Sequence, residues 1–415
     1  MILKLVSFLG MFVMIAMAWG ISLNRKKFPW RTVFSGVALQ FVFAWLILRT
    51  VPGLALFDAG NRAINRLLGF ANDGARMVFG PLADGQLLGE KFGPANAFIF
   101  FVTVTATIIL VAALSSLLYH YGVLQRIVRA VAWVMQWAMR TSGSESLAAA
   151  ANIFMGQTEA PLVIRPYLPR MTQSEVMALM VGGMATIAGG VLAAYVSFGV
   201  SAGHLLTASV MSAPAALMIA KIILPETEPS ETASGASAEV PRETINGLDA
   251  LCLGASDGLK LALNVMAMLI AFVAVVAMAN YLLALPQQAF GVQQPITFQT
   301  LFGWVNAPFA WLMGVAPQDC VRVGAILGER IVLNEFIGYV SLSEQKGLMT
   351  ERSYALATYA LCGFANFSSI AIQIGGIGAL APSRRNDLAR LGLRAMIGGL
   401  LACYLTATVA GILLK

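Results

Sequence analysis

Eight long apolar runs constrain this chain more than any other feature of its sequence. They cover roughly residues 1–22, 33–52, 97–118, 176–199, 204–224, 259–285, 354–381 and 393–414. A transmembrane helix needs about 20 apolar residues, and each run reaches that length. The alternating apolar and polar pattern of an outer-membrane barrel is missing from the sequence. The runs therefore predict an all-α polytopic membrane protein with about eight transmembrane helices.

Charged residues are too few to cover the surface of a water-soluble fold. Asp, Glu, Lys and Arg make up 11% of the 415 residues, and apolar residues make up 58%. A soluble domain usually carries about 25% charged residues, so lipid must be the solvent for much of this surface. The net charge of +7 comes mostly from loops between the apolar runs. It therefore indicates membrane topology and not a nucleic-acid partner.

The basic residues also predict the orientation of the chain. Arg25, Lys26 and Lys27 follow the first apolar run instead of preceding it, so this run is not a cleaved signal peptide. Cytoplasmic loops are enriched in Lys and Arg. This rule predicts a periplasmic N-terminus, and it places Arg384 and Arg385, before the last run, in the cytoplasm.

Four parts can be distinguished along the chain. Residues 1–95 contain two spans and a more polar stretch at 58–91, which is typical of an amphipathic helix at the membrane interface. Residues 96–224 and 249–415 form two halves. Between them, residues 225–248 are rich in Pro, Glu, Ser and Thr and show no apolar periodicity, which predicts a mobile cytoplasmic linker.

The two halves repeat three short motifs in the same order. Each half contains a polar-acidic segment, a Met-Thr pair and a Gly-x-Ala-polar-x-small motif. These motifs lie at 156–159, 171–172 and 183–188 in the first half, and at 333–336, 349–350 and 363–368 in the second. Three matches at nearly constant separation indicate an internal repeat.

Both polar-acidic segments lie in stretches too broken for a simple span. Ser142 and the prolines at 161–169 bracket the first segment, and Pro317 and the polar residues 341–346 bracket the second. Two short arms with a polar turn predict a re-entrant hairpin, whose tip must be buried in protein or line a wet cavity. Three spans separate the tips, so the second hairpin enters from the opposite side. The repeat is therefore predicted to be inverted, as in many secondary transporters.

The hairpin tips carry candidate ligand groups. Charged groups inside a membrane are costly and tend to be functional. Gln157, Thr158 and Glu159 offer donors, a hydroxyl and a carboxylate, which suit a neutral ring with donors and acceptors. Glu335 and Asn366 suit vicinal hydroxyls, because a carboxylate accepts two O–H bonds. The alternative is a structural role, in which each glutamate accepts hydrogen bonds from its own turn.

The polar residues inside the Gly-containing motifs allow two interpretations. Small residues around Thr186 and Asn366 could serve close helix packing. The central polar residue favours a helix break instead, with freed carbonyls facing a cavity. Asn152, Thr186 and nearby carbonyls could then form an oxygen cage for a small monovalent cation, although Asn152 could equally make a packing hydrogen bond.

Taken together, the motifs resemble the bacterial concentrative nucleoside transporters, and the resemblance covers essentially the whole chain. It is carried by NIFMGQTEAPL at 152–162, MTQSE at 171–175, AGGV at 188–191, NEF at 334–336 and CGFANFSSI at 362–370. The resemblance implies nucleoside import by Na+ symport in a bacterial inner membrane. It also implies a homotrimer, in which each protomer has a static scaffold and a transport part that moves like an elevator.

The resemblance further implies a role for individual residues. The nucleobase, for example that of uridine, would contact Gln157, Thr158, Glu159 and Val191. The ribose would contact Glu335, Phe364, Asn366 and Ser369. Sodium, the only cofactor implied, would be held by Asn152 and Thr186 and by the carbonyls of Met155 and Ile187. Thr186 stands where Ser is common in the family, but the hydroxyl is retained.

Other functions fit the residues less well. A two-hairpin carrier for an anionic solute conflicts with two glutamates at the tips and with the absence of Arg from the site motifs. Proton coupling through Glu159 is an alternative to sodium coupling, and Asn152 with Thr186 argues against it. An enzyme is disfavoured because no His cluster, Cys-His pair or Gly-x-Ser-x-Gly elbow is present. Neither hairpin has the pattern of a carbonyl-lined channel filter.

Overall fold

A computed structural model describes residues 2–93, 99–233, 235 and 244–414. Within these residues the chain forms α-helices joined by loops and short 3-10 turns, and they contain no β-strand, which confirms the all-α prediction. The predicted boundary between residues 95 and 96 lies outside the described residues. The helices are α1 (Ile2–Gly20), α2 (Trp30–Arg49), α3 (Val51–Phe79), α4 (Gly85–Phe92), α5 (Phe100–His120), α6 (Val123–Met139), α7 (Gly143–Asn152), α8 (Ala160–Val163), α9 (Gln173–Ala185), α10 (Gly189–Ser197), α11 (Ala202–Ile223), α12 (Gly247–Ala289), α13 (Phe298–Leu312), α14 (Cys320–Val332), α15 (Glu335–Glu344), α16 (Glu351–Leu361), α17 (Phe367–Leu380) and α18 (Arg385–Leu413).

The two halves of the chain contain the same series of helices. A helix (α6 or α13) is followed by two hairpin arms, a broken helix and a long final helix. Hairpin 1 consists of α7 and α8, and hairpin 2 consists of α14 and α15. The broken helices are α9–α10 and α16–α17, and the final helices are α11 and α18. This order is the repeat that the three motifs predict.

The hairpins begin at opposite faces of the molecule. Near the start of α2, Thr32 donates a hydrogen bond to the carbonyl of Met139, four residues before hairpin 1 begins (3.4 Å). Near the start of α1, Ser7 donates a hydrogen bond to the carbonyl of Met313, shortly before hairpin 2 begins (2.8 Å). Helix α1 begins near Met313 and ends at the loop that leads into α2, near Met139. The two hairpins therefore begin at opposite ends of α1. The inverted arrangement is therefore present.

Both Gly-x-Ala-polar-x-small motifs lie at helix breaks. Thr186 directly follows α9, and Asn366 directly precedes α17. The backbone N–H of Phe364 donates to the carbonyl of Thr186 (3.3 Å), so the two breaks touch each other. The helix-break interpretation is thus preferred over close packing alone.

The second break changes the count of simple spans. Seven helical stretches of the described chain are long and apolar enough to cross a membrane, and one of them is the broken segment Gln173–Ser197, which contains α9 and α10. The predicted eighth span, 354–381, is divided into α16 and α17, and each of these helices is shorter than a span. Polar groups at the break, rather than a continuous apolar helix, therefore occupy the middle of this segment.

Helices α5 and α12 form a close pair beside the two repeats. A Cβ atom added to Gly254 would lie 2.6 Å from the carbonyl oxygen of Ala112, and one added to Gly258 would lie 2.8 Å from the Cα of Ile109. Glycine at both positions lets the backbones approach closely, as small residues commonly do in membrane helix pairs. Helix α5 also packs against α10 of the first repeat.

The first residues of the predicted linker make ordered contacts. Residues 225–233 are packed against the base of hairpin 1, where Gly143 donates its N–H to the carbonyl of Thr232 (2.8 Å). The Thr232 hydroxyl lies 2.9 Å from the Ser144 hydroxyl, and Ser230 donates to the Glu175 carboxylate (2.6 Å). Hydrogen bonds to hairpin 1 and α9 thus replace apolar contacts, which explains why hydrophobic periodicity did not reveal the docking. Residues 234 and 236–243 lie outside the described residues.

Removing the hydroxyl of Thr232 should weaken this docking. Thr232→Val keeps the shape but leaves the N–H of Ser144, which donates to that hydroxyl (3.2 Å), without its partner. We expect the free energy of unfolding to fall by about 1–2 kcal/mol, as for other buried groups that lose a hydrogen bond. Thermal unfolding of purified protein measures this change. Thr227→Val, at an exposed position of the same segment, is the control, and equal melting temperatures for the two variants would contradict the prediction.

Candidate functional site

The tip of hairpin 1 meets the second broken helix. Gln157 Nε2 donates to the hydroxyl of Ser369 near the start of α17 (3.0 Å). Gln373, one turn further along α17, donates through Nε2 to Gln157 Oε1 and to the carbonyl of Met180 (3.1 Å each). The amide of Gln157 is therefore held at both ends, and the two repeats are joined by side chains at the level of the hairpin tip.

The carboxylate of Glu335 lies at the tip of hairpin 2 and is also contacted from both repeats. Asn366 Nδ2 donates to Glu335 Oε2 (3.0 Å), and the hydroxyl of Tyr195 in α10 donates to Oε1 (3.1 Å). Both partners are neutral, and each carboxylate oxygen keeps acceptor capacity. The glutamate is 6% exposed, so a solute that reached it would meet a largely dehydrated carboxylate.

The break before α17 fixes the direction of the Asn366 amide. Its Oδ1 accepts a hydrogen bond from the N–H of Ser369 (2.9 Å) and another from the hydroxyl of Ser368 (2.7 Å). This is the usual role of Asn at the N-cap of a helix. Because the oxygen is used for capping, the NH2 group is left to face Glu335.

Glu159 borders a cavity on the other side of the hairpin 1 tip. The Glu159 carboxylate accepts a hydrogen bond from the N–H of Gly156 (3.3 Å) and lines a cavity of about 250 Å³. Asp257 of α12 lines the same cavity. Thr158 packs toward α17, where a Cβ added to Gly376 would lie 3.2 Å from its methyl group. The cavity thus lies between hairpin 1 and the α5–α12 pair.

Asn152 provides the clearest sign of a cation site. It is the last residue of α7 and is 1% exposed, and among the described residues neither its Oδ1 nor its Nδ2 has a hydrogen-bond partner. Its Nδ2 would lie 3.1 Å from a Cβ added to Gly182, which places it against the last turn of α9. The Thr186 hydroxyl donates to the carbonyl of Gly182 (2.9 Å), so its oxygen lone pairs remain free to bind a cation.

The donor atoms at this place suit a hard monovalent cation. An amide oxygen, a hydroxyl and backbone carbonyls are oxygen ligands, which hard cations prefer. Met155 and Ile187, whose carbonyls are implied as further ligands, are both buried beside the first break. An unpaired buried amide oxygen costs free energy unless something binds it, so Asn152 fits a site for Na+.

Val191 and Phe364, the two remaining residues of the predicted substrate site, lie in the broken helices. Val191 is buried in the first turn of α10, and Phe364 is half-buried in the second break. Sequence reasoning missed Tyr195 and Gln373, although both contact predicted site residues. The only signal for either is a polar group within a long apolar run, and such a group is more often structural.

Comparison with known proteins gives consistent matches along the chain. Family models described as "Na+ dependent nucleoside transporter N-terminus", "Nucleoside recognition" and "Na+ dependent nucleoside transporter C-terminus" match residues 9–82, 101–202 and 204–411, respectively. An uncharacterized transporter of Haemophilus influenzae is 44% identical over 412 residues, which cover 98% of this chain and 97% of the relative. Sodium/nucleoside cotransporter 1 of Rattus norvegicus is 40% identical and matches 99% of this chain, which spans 64% of that relative.

Solved structures of one protein match the whole fold. CNTnw in an inward-facing, substrate-bound state is 38% identical with a TM-score of 0.93, and the match covers 99% of this chain and 98% of that one. A doubly substituted form of CNTnw in an outward-facing state is 37% identical with a TM-score of 0.94, covering 100% and 98% of the two chains. CNTnw has also been solved in intermediate states.

Proposed function

This chain belongs to the Na+-dependent nucleoside transporter family, and we propose that it imports nucleosides such as uridine, each together with Na+. It is a membrane transporter and not an enzyme. CNTnw has been solved in inward-facing, outward-facing and intermediate states. By analogy, the hairpins and broken helices of this chain would present the solute alternately to the two sides of the membrane.

One observation carries the proposal. Two hairpin tips that enter from opposite faces converge on two helix breaks, and they bring polar groups of both repeats together in an otherwise apolar protein. Gln157 bonded to Ser369 and Glu335 bonded to Asn366 supply donors and acceptors, and no basic side chain of the described residues donates a hydrogen bond to these four groups. Such a surface suits an uncharged solute that can both donate and accept hydrogen bonds.

The two polar groups would bind different parts of the nucleoside. Gln157, Thr158 and Glu159, with the apolar side chain of Val191, would contact the base. Glu335 and Asn366, with Ser369 and Phe364, would contact the ribose, because a carboxylate accepts two O–H bonds from vicinal hydroxyls. Tyr195 and Gln373 would hold Glu335 and Gln157 in place.

The setting of the transporter is part of the proposal. We expect a homotrimer in a bacterial inner membrane, with the N-terminus in the periplasm. The α5–α12 pair would form the static scaffold, since α12 packs against little else in the described chain. The hairpins and broken helices would move together against it.

Uptake of radiolabelled uridine into proteoliposomes tests the function. We expect accumulation that requires an inward sodium gradient and that unlabelled nucleosides compete away. Uptake that follows a pH gradient and ignores sodium would transfer the coupling role to a proton on Glu159. Competition by dicarboxylates but not by nucleosides would identify the site as that of a different carrier.

The sodium site makes a separate prediction. Thr186→Val removes the hydroxyl oxygen but keeps the shape. The sodium concentration for half-maximal uptake should therefore rise roughly ten- to hundredfold, because the interaction of a polar group with a charge is worth about 1.5–3 kcal/mol. Asn152→Ala should also raise the sodium concentration for half-maximal uptake. Thr207→Val is the control, because Thr207 is also buried and bonds to a carbonyl four residues earlier (2.6 Å), but on α11. An unchanged sodium dependence in Thr186→Val would remove this residue from the site.

A further inference from the structure

Arg330 is a fully buried arginine that has no carboxylate partner in the part of the chain that the structure describes. It lies in the last turn of α14, the first arm of hairpin 2, and is 0% exposed. One terminal nitrogen donates to the carbonyl of Ala360 (2.6 Å) and the other to the sulfur of Cys403 (3.3 Å). Among the described residues, its Nε has no hydrogen-bond partner and no carboxylate oxygen lies within 4.0 Å of the guanidinium. A buried unpaired charge is costly, so it requires an explanation.

The position of Arg330 repeats that of Asn152. Asn152 ends the first arm of hairpin 1 and lies against the last turn of α9, before the first helix break. Arg330 is in the last turn of the first arm of hairpin 2 and bonds to Ala360 in the last turn of α16, before the second break. Related places in the inverted repeat thus hold a neutral amide in one case and a guanidinium in the other.

The chemistry of both places favours a positive charge. The last turn of a helix leaves carbonyl groups without partners and carries a partial negative charge. At the first break, Asn152 adds a neutral oxygen and leaves the positive charge to be supplied by an ion. At the second break, the guanidinium supplies the charge itself and fills the space beside Ala360.

The Cys403 side chain connects the two places. Its sulfur accepts from Arg330 and also lies 3.6 Å from the carbonyl of Ala185, at the end of α9, and 3.5 Å from that of Cys362, just after α16. Arg330 is therefore at the junction of both breaks and not in a remote part of the core. Five residues further on, the carboxyl group of Glu335 is buried at the tip of the same hairpin.

We propose that Arg330 is a tethered cation that takes the place of a second coupling ion in hairpin 2. It balances the buried charge of Glu335 and the carbonyl ends of α16 in every state of the cycle. The protein then needs one exchangeable Na+, at Asn152, for each nucleoside. This inference rests on the proposed function and adds the number of ions to it.

The charge moved per nucleoside tests the proposal. Current and radiolabelled uridine uptake are measured together in proteoliposomes at a fixed membrane potential. A nucleoside is uncharged, and Arg330 returns with the protein, so the wild type should move one charge per nucleoside. Arg330→Lys should also move one charge. Arg330→Gln should bind nucleoside more weakly at low sodium, show a steeper sodium dependence, and move up to two charges as a second Na+ enters the vacated place.

Arg352→Gln is the matched control. Arg352 also donates to backbone carbonyls, those of Gly314 (3.2 Å) and Gly411 (2.6 Å), but it lies in the first turn of α16, away from the break. It should leave the ratio at one charge.

Three outcomes would overturn the proposal. They are two charges per nucleoside in the wild type, a folded Arg330→Gln protein with the sodium dependence of the wild type, and a loss of nucleoside binding in Arg330→Gln that no sodium concentration restores. If Arg330→Gln does not fold, the ratios of the wild type and Arg330→Lys decide, and a ratio of two in either refutes it. Uptake that ignores sodium would instead refute the proposed coupling, so the two failures are distinguishable.

Discussion

Replacing Glu335 with Gln should lower the affinity for uridine by roughly ten- to hundredfold. Hydrogen bonds to a charged group are worth about 1.5–3 kcal/mol, and each 1.4 kcal/mol is a factor of ten in affinity. Glutamine keeps the shape of the side chain but removes the charge that strengthens its bonds to ribose hydroxyls. Competition with labelled uridine uptake, or calorimetry on purified protein, measures the change.

The surroundings of Glu335 predict that the variant folds. One carboxylate oxygen accepts from Asn366 Nδ2, which can only donate, and the other accepts from the Tyr195 hydroxyl. A glutamine oxygen can stay opposite Asn366, and its NH2 group can then donate to Tyr195, because a hydroxyl also accepts. The hydrogen bonds around position 335 can therefore be kept. Because the variant also removes the charge that Arg330 balances, its melting temperature is measured beside its affinity.

A matched control and a substrate series separate ribose binding from other effects. Glu329→Gln changes a glutamate on the preceding arm of the same hairpin and should leave affinity close to that of the wild type. Nucleosides that lack ribose hydroxyls should bind the wild type more weakly, and they should lose little further affinity in Glu335→Gln. Uridine affinity within twofold of the wild type in Glu335→Gln would remove Glu335 from the ribose site.

Much of the fold could be predicted because a polar residue in an apolar membrane sequence must lie at a helix end, a helix break or a hairpin tip, where its hydrogen bonds can be satisfied. The repeated Met-Thr pairs illustrate this. Thr172 accepts the N–H of Glu175 (3.1 Å) at the start of α9, and Thr350 accepts that of Ser353 (3.2 Å) at the start of α16. The two Met-Thr pairs are therefore N-caps, and they start the two broken helices at equivalent positions.

The contacts that complete the candidate site could not be predicted in the same way. Tyr195 reaches Glu335 across 140 residues of sequence, and Gln373 reaches Gln157 across 216. Neither residue stands in a motif, and only the folding of the repeats onto each other brings them near their partners. Sequence spacing describes groups on one helix or one turn, so it cannot reveal a contact between repeats.

The contacts of the first linker residues could not be predicted for a related reason. Its composition is that of a disordered segment, yet residues 225–233 satisfy buried polar groups of hairpin 1 and α9. Lys221, at the end of α11, contacts both Glu145 of hairpin 1 and Glu226 of the linker. Buried charged side chains such as Lys221 can thus fix a polar segment in place through ion pairs. Composition alone does not predict such contacts, because it does not show where the charged side chains lie in the fold.

The cavity of about 250 Å³ marks the border between the proposed moving and static parts. Gly190, at the start of α10, and Leu261, on α12, line it from the two sides, and Ser115 lines it from α5. The tips of both hairpins bind to broken helices, so moving one hairpin alone would break the Gln157 and Glu335 contacts inside the membrane. Moving the hairpins and broken helices as one body keeps these buried polar groups satisfied, which avoids a cost of several kcal/mol for each.

Locking α10 to α12 should therefore stop transport almost completely. A Gly190→Cys, Leu261→Cys pair bridged by a short, reducible bifunctional thiol reagent would join the proposed moving body to the wall without touching either hairpin. A Cβ at Gly190 meets no atom within 4 Å, so cysteine fits there, and Cys252→Ser removes the exposed native thiol. Uridine uptake should fall to background and recover on reduction. The pair Ser115→Cys, Leu261→Cys, with both residues in the wall and on the same cavity, should crosslink without loss of uptake. Complete crosslinking of Gly190 to Leu261 with uptake intact would mean that α10 stays with the wall, and that a local movement of the hairpins alone opens the site.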